Sequence, residues 1–264
     1  MPDAPIHVTY PTADDLHLQI ILGACQLSAR LGEVEDWVAG VCHVPSDRRA
    51  PTISTKDRTV TITEEEPFLE RMHGVFSGIP HYEIRFGKER PFALTVETGA
   101  SEFDLDLGGV PLKALTVRQG AGRFNLDFST PNPEPMDLLE VSSGAAGIEL
   151  ENLANANFSK MRLSGGAAGC ELDFGGELSQ EAEVTIDTGL SGVEIAVPGS
   201  TAALIVAETT LGSVDVGDGF TKREGGFLTE GGITRMTKAG RARNQPLLTI
   251  RAGVRLGALQ IRTT

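Results

Sequence analysis

Aromatic residues are scarce in this chain, at 5% of its 264 positions, with one Trp and two Tyr. Enzymes that grip polysaccharides stack sugar rings on exposed aromatic faces, so this shortage argues against a polysaccharide-active hydrolase or lyase. Cysteine is just as sparse. The three thiols, Cys25, Cys42 and Cys170, are an odd set that excludes a disulfide-stapled secreted scaffold and suits a reducing compartment. No apolar run approaches the length needed to cross a bilayer. Residues 1–11 contain no apolar stretch bracketed by positive charge, as a secretion signal would. A cytoplasmic chain without direct membrane insertion is therefore expected. Basic residues are the minority, 23 Lys and Arg against 36 Asp and Glu for a formal charge of −13. With no basic patch to meet phosphates, a nucleic-acid partner is excluded.

Catalytic patterns are missing too. The sequence holds no GxSxG elbow, no Cys with an evident His partner and no glycine fingerprint following a strand. His7, His17, His43, His73 and His81 lack the short spacings that build metal sites. Cys42 and His43 are adjacent on an expected strand, and so point to opposite faces. The expectation is a protein that is not an enzyme and carries no cofactor or metal.

What is present is a repeat. Between Leu94 and Val197 a glycine recurs at Gly99, Gly120, Gly144, Gly166 and Gly189, in steps of 21, 24, 22 and 23 residues. Apolar residues stand five and three places before each one: Leu94 and Val96, Leu115 and Val117, Leu139 and Val141, Met161 and Leu163, Val184 and Ile186. Others stand four and six places after it: Phe103 and Leu105, Phe124 and Leu126, Ile148 and Leu150, Cys170 and Leu172, Val193 and Ile195. Polar residues alternate with them. A period of two means a strand with one side on a core, and the glycine marks a corner that needs positive φ or close backbone approach.

A repeat of about 22 residues points to an all-β fold, a single-stranded parallel β-helix in which like residues stack in columns. The alternative is an antiparallel sandwich or barrel built from hairpins. In the solenoid Leu126 and Leu172 are expected to be buried, and Cys170 serves as a small core hydrophobe.

The pattern extends outward. Leu18, Ile20, Gly23, Leu27, Ala29 and Leu31 make a first copy. A degraded copy places Thr209 at the corner after Leu204 and Val206, with a bulge shifting its second strand, around Val214 and Val216, by one residue. Leu248, Ile250, Gly253, Leu259 and Ile261 make a last copy that returns to the stack and caps it, with Gly257 where an apolar residue is expected. In all, eight copies are expected.

The expected organisation is an N-terminal β segment, residues 1–90, followed by a regular solenoid over 91–264 with a loop-rich insertion at 217–246. The N-terminal segment has strands at Trp37–Val44 and Thr59–Thr63 and a short helix over Glu64–Gly74. A strand through Tyr82, Ile84 and Phe86 leads into the main stack. The insertion reads as loops with one hairpin.

The outward residues after each glycine are the candidate site. Asp104, Asp106, Asp127, Glu149, Glu151, Glu171, Asp173 and Glu194 fall five or seven places beyond their glycines. Stacked in register, they form two carboxylate columns about 4.8 Å apart along the column. Like charges so opposed repel, which favours a protein partner with a basic surface. A flat ladder offers too few oxygens around one point to make a Ca²⁺ site.

The segment HYEIRFGKERPFALTVETGASEFDLDLGGVPLKALTVRQGAGRFNLDF resembles the toast-rack domains of LiaF-type cell-wall-active antibiotic response proteins, which are similar to bacterial adhesin-like β-helix domains. LHLQIILGACQLSARLG resembles the opening strand pair of that family, and LLTIRAGVRLGALQIR its closing one. The resemblance implies a bacterial, non-enzymatic β-helical module for envelope-stress signalling or protein contact, or an adhesin-like module for carbohydrate or cations. It supplies no catalytic residues.

Overall fold

The computed structural model describes residues 3–33, 35–45, 49–64, 78–237 and 245–264. Among these residues the alternation of apolar and polar side chains produces sixteen strands. The early ones are short: β1 (Asp3–Val8), β2 (Leu16–Leu22), β3 (Cys25–Leu31), β4 (Val38–His43), β5 (Thr52–Lys56), β6 (Thr59–Thr63) and β7 (His81–Phe86). Each full repeat then folds as one long bent strand: β8 (Phe92–Asp106), β9 (Leu112–Asp127), β10 (Met136–Glu151), β11 (Phe158–Asp173) and β12 (Ala182–Val197). β13 (Ala203–Val216) is followed by a hairpin of β14 (Phe220–Arg223) and β15 (Gly226–Thr229), by helix α1 (Glu230–Thr237), and by β16 (Leu248–Thr263).

β8 to β12 pair in parallel, each with the next, as coils of a β-solenoid. Phe103, Phe124, Ile148, Cys170 and Val193 stack in one inward column, with Leu105, Leu126, Leu150, Leu172 and Ile195 beside them, all buried. The Phe103 and Phe124 rings meet edge to face, with centroids 5.5 Å apart. This pairing is the solenoid rather than the hairpin alternative, because consecutive copies run parallel.

The corner glycines stack because their backbones approach closely, and none of the five has positive φ. A Cβ on Gly120, Gly144 or Gly166 would lie 2.6 Å from the carbonyl oxygen of the preceding glycine in the column. No side chain fits there. The inside of the bend is polar. There Thr98 bonds Ser101 at 2.8 Å, Gln119 donates to the Ser101 carbonyl at 2.7 Å, and Ser191 donates to Thr188 at 2.6 Å.

Return loops between coils are stitched by buried asparagines. Asn132 Nδ2 donates to Leu112 O at 2.8 Å and Asn155 Nδ2 to Phe128 O at 2.9 Å, while Asn155 Oδ1 accepts from Glu177 N–H at 2.9 Å. A 3-10 turn over Leu153–Ala156 carries one of them. Each bond satisfies backbone groups of a neighbouring coil that the loop would otherwise bury unpaired.

At both ends the spatial order departs from chain order. β2 and β3 form a coil lying directly on β8, with Gly23 beside Gly99. β6 and β7 form a further split coil on its far side, through β6–β2 and β7–β3 pairing. The strand through Tyr82 to Phe86 therefore lies one coil beyond the position expected for it, with β3 between it and β8. Antiparallel strands close this end, β5 on β6 and β4 on β7, with β1 on β4. Tyr10, Trp37, Phe86 and Phe92 pack a small aromatic cluster beneath them.

At the other end β16 does not cap the stack. It slots between β12 and β13 and pairs in parallel with both. Its register is also two residues from the expected one: Gly253 stands beside Asp187, and Arg255 is flanked by the neighbours of Gly189. A two-residue slip leaves every side chain on its own face, so alternation alone cannot detect it. The corner position of this coil is Arg255, and Gly257, at φ +144°, stands two places past it beside Ser191. β13 has no bulge. Its corner is Thr210, which puts Ile205, Ala207, Val214 and Val216 in the regular inward positions.

The expected helix over 64–74 lies, apart from Glu64, outside the described residues. Within 217–246 the hairpin is present, and α1 is an addition. Its two glycines hid it, since glycine is a poor helix former. A Cβ on Gly232 would lie 2.7 Å from the Ala203 carbonyl oxygen, so the helix needs glycine to pack against β13.

Candidate outer face of the second arms

The half of each coil after the corner, its second arm, presents four outward columns. Alanine begins the first, as Ala100, Ala121, Ala145 and Ala167, and leucine continues it as Leu190, Leu256 and Leu211. All three leucines are exposed. The second column changes from Glu102 and Arg123 to Gly147, Gly169, Gly192 and Ala258. Small side chains here leave a shallow depression of about 700 Å³ across β9 to β16, floored by Ala145, Gly147, Ala167, Gly169 and Gly192 and edged by Leu190.

The third and fourth columns are the predicted carboxylates, and the pairing brings them together. Asp104, Asn125, Glu149, Glu171 and Glu194 stand in register, then Gln260. Asp106, Asp127, Glu151 and Asp173 form an unbroken run of four, which ends at Ala196. A depression of about 330 Å³ lies among Glu149, Glu151, Glu171, Asp173, Glu194 and Arg262.

The ladder carries its own neutralising groups, which the sequence did not reveal. Arg30 stands beside Asp106 at one end, and Arg262 beside Ala196 at the other, where its Nε donates to Glu194. Asp106 accepts from the Ser129 hydroxyl at 2.7 Å and from Gly108 N–H at 3.0 Å. Asn152 donates to Asp127 at 2.8 Å, and Gly175 N–H to Asp173 at 3.1 Å. Asp106 and Asp173 thus open the return turns as well as charging the face. Glu151 has no such donor among the described residues. Partial burial raises its carboxyl above the usual carboxylate range, and the charges of Asp127, Glu149 and Asp173 raise it further.

Two other clusters were not evident from spacing. His43 and His81 face each other across β4 and β7 with ring centroids 5.9 Å apart, and both reach Glu83. His43 Nδ1 also lies 2.8 Å from Asp3. Antiparallel pairing of strands distant in sequence creates this contact, so no local motif announces it. On the inner side, Cys25, Cys42, Tyr82 and Glu64 share a buried corner. Burial, with the Glu64 charge adding to it, holds the Cys25 thiol up at about 12 and the Cys42 thiol at about 11. All three cysteines are free and buried. Among the described residues no group of His, Cys, Asp and Glu has the geometry to hold a metal ion, and no helix is long and apolar enough to cross a membrane.

No curated protein matches the chain. Among solved structures it is similar to a candidate cell adhesion protein of Clostridium sporogenes, at 14% identity and a TM-score of 0.48, covering 100% of this chain and 99% of that one. It is also similar to a candidate adhesin of Bacteroides fragilis, at 8% identity and a TM-score of 0.44, covering 100% and 96%. Residues 3–151, from β1 through β10, match the family described as the N-terminal domain of toast_rack, DUF2154. The chain, a parallel β-solenoid with glycine corners, belongs to the toast-rack family.

Proposed function

We propose that the chain is a non-catalytic interaction module and that the outer face of its second arms receives an extended protein segment with a basic surface. The observation that carries this reading is the pairing of a charged rail with a smooth floor. In-register carboxylates at Glu149, Glu151, Glu171 and Asp173 run beside alanines and glycines that leave room for a backbone to lie close. Exposed Leu190 and Leu256 offer apolar contact at one end. A Lys- or Arg-bearing strand would relieve the repulsion within the ladder and cover those leucines. Placement in bacterial envelope-stress signalling is part of the same proposal, supported by the toast-rack resemblance.

Binding of a peptide of alternating Lys and Val, followed by fluorescence anisotropy over a salt series, tests it. The wild-type chain should bind with an affinity that falls as salt rises, and a variant combining Asp127→Asn, Glu149→Gln and Glu171→Gln should lose most of that binding. Equal binding by the two chains sinks the proposal. So does a melting temperature raised by Ca²⁺ far beyond NaCl of matched ionic strength, which would assign the face to cations.

A further inference from the structure

Each end of the solenoid exposes two arms, and three of these four ends are covered by an antiparallel strand. β5 lies on β6, β4 on β7, and β15 on the first arm of β13 at Leu204 and Ile205. The fourth, the second arm of β13 over Thr210–Val216, pairs only with β16 on its inner side among the described residues. Its features are those of an unfinished sheet. Leu211 is 66% exposed, and Val214 and Val216 reach the core without being fully buried. An edge of this kind, with unpaired backbone groups and an exposed leucine, is a template for another strand.

We propose that Thr210–Val216 pairs edge to edge and antiparallel with the same segment of a second copy of this chain, about a two-fold axis at Ser213. Two observations select a second copy. The cap used on the other arms is antiparallel, and a two-fold axis supplies that direction. Ser213 is the midpoint of the bare arm, so pairing there matches all seven residues. It puts Val214 of each copy beside the partner's Gly212 on the core side and Leu211 beside the partner's Asp215 on the outer side. The arm's one charged residue therefore never meets itself.

The test is sedimentation of the purified chain and of a variant with Leu211→Lys and Ser213→Lys, two exposed positions where lysine blocks edge pairing. The wild type should sediment as a dimer, and the variant at half that mass with an unchanged circular dichroism spectrum and melt. Cross-linking with oxidised glutathione gives a second readout, because the native thiols are buried. Ser213→Cys should form a disulfide-linked dimer, whereas Thr185→Cys, exposed on the first arm of β12, should not. A wild-type chain that is monomeric at every concentration overturns the proposal and would leave the arm for a foreign strand. A dimer indifferent to the lysines, or equal cross-linking at both cysteines, overturns it as well.

Discussion

Glu64 accepts the backbone N–H of Gly23 on its Oε2 at 3.1 Å, and through this contact it closes the N-terminal end of the glycine corner. The next step of the column is the Gly99 N–H, which donates to Gly23 O at 3.0 Å. The other carboxylate oxygen takes the Tyr82 hydroxyl at 2.6 Å. Removing the carboxylate strands two donors at once. Glu64→Ala should lower unfolding stability by about 1–3 kcal/mol, the usual cost of unpaired polar groups, and Glu64→Gln by less because it keeps an acceptor. Urea titration of the two variants decides it, and equal midpoints would show that the contact contributes nothing.

The glycine column offers an internally controlled pair. A methyl group at Gly144 would press on the Gly120 carbonyl, whereas one at Gly147, three residues on, meets nothing within 4 Å. Gly144→Ala should therefore cost about 1–3 kcal/mol, as overpacking does, with Gly147→Ala close to neutral. Thermal melts that place the two side by side would contradict the close approach.

Asn155 tests the stitching of the return loops. It is buried and bridges Phe128 O to Glu177 N–H. Replacement by Ala leaves both backbone groups without that partner, at a cost of about 1–3 kcal/mol. Amide exchange at Glu177 should accelerate in the variant, and unchanged exchange would mean that water or another group substitutes.

The pH dependence centres on Glu151, whose carboxyl is held above its usual range first by burial and then by Asp127, Glu149 and Asp173. A carboxyl that titrates higher in the folded than in the unfolded chain binds more protons when folded, so its contribution to stability falls as pH rises through that interval. Glu151→Gln should stabilise the protein at neutral pH and low salt. The gain should vanish once the pH drops below the carboxylate range, and shrink in high salt. A variant no more stable than wild type at neutral pH would mean that Glu151 feels no net repulsion.

The thiols should be inert. Burial holds Cys25 up at about 12 and both Cys42 and Cys170 at about 11, so little thiolate exists at mildly alkaline pH. Iodoacetamide should leave all three unlabelled in the native chain and label them in urea. Rapid native labelling of any of them, detected by mass, would contradict its burial.

Much of the fold could be read from residues alone because each central coil repeats the same columns. Phe103 above Phe124 and Leu150 above Leu172 follow from spacing, and so do the carboxylates from Asp106 to Asp173. The ends were harder for definite reasons. Gly253 drew the last copy two residues out of place, because a two-residue slip keeps Ile250 and Leu259 facing inward. Arg255 at a corner without glycine gives no local signal. The order of coils at either end depends on which strand a segment pairs with across a long connection, and β2, β6 and β8 share one alternating pattern. The Ser129, Asn152 and Gly175 contacts that soften the acidic ladder lie in irregular turns, which have no period to read.

The placement of β16 between β12 and β13 sets a conflict between synthesis and assembly. When Ala203–Val216 emerges, the neighbour it will keep, Leu248–Thr263, has not been made, and the open edge of β12 presents the same inward pattern. β13 can lie directly on β12, with Val214 beside Val193 and Val216 beside Ile195, and bury much of what it buries in the end. A chain that takes that arrangement first must release β13 from β12 before β16 can enter and pair on both sides. For such a chain the last step of folding is an insertion rather than an addition.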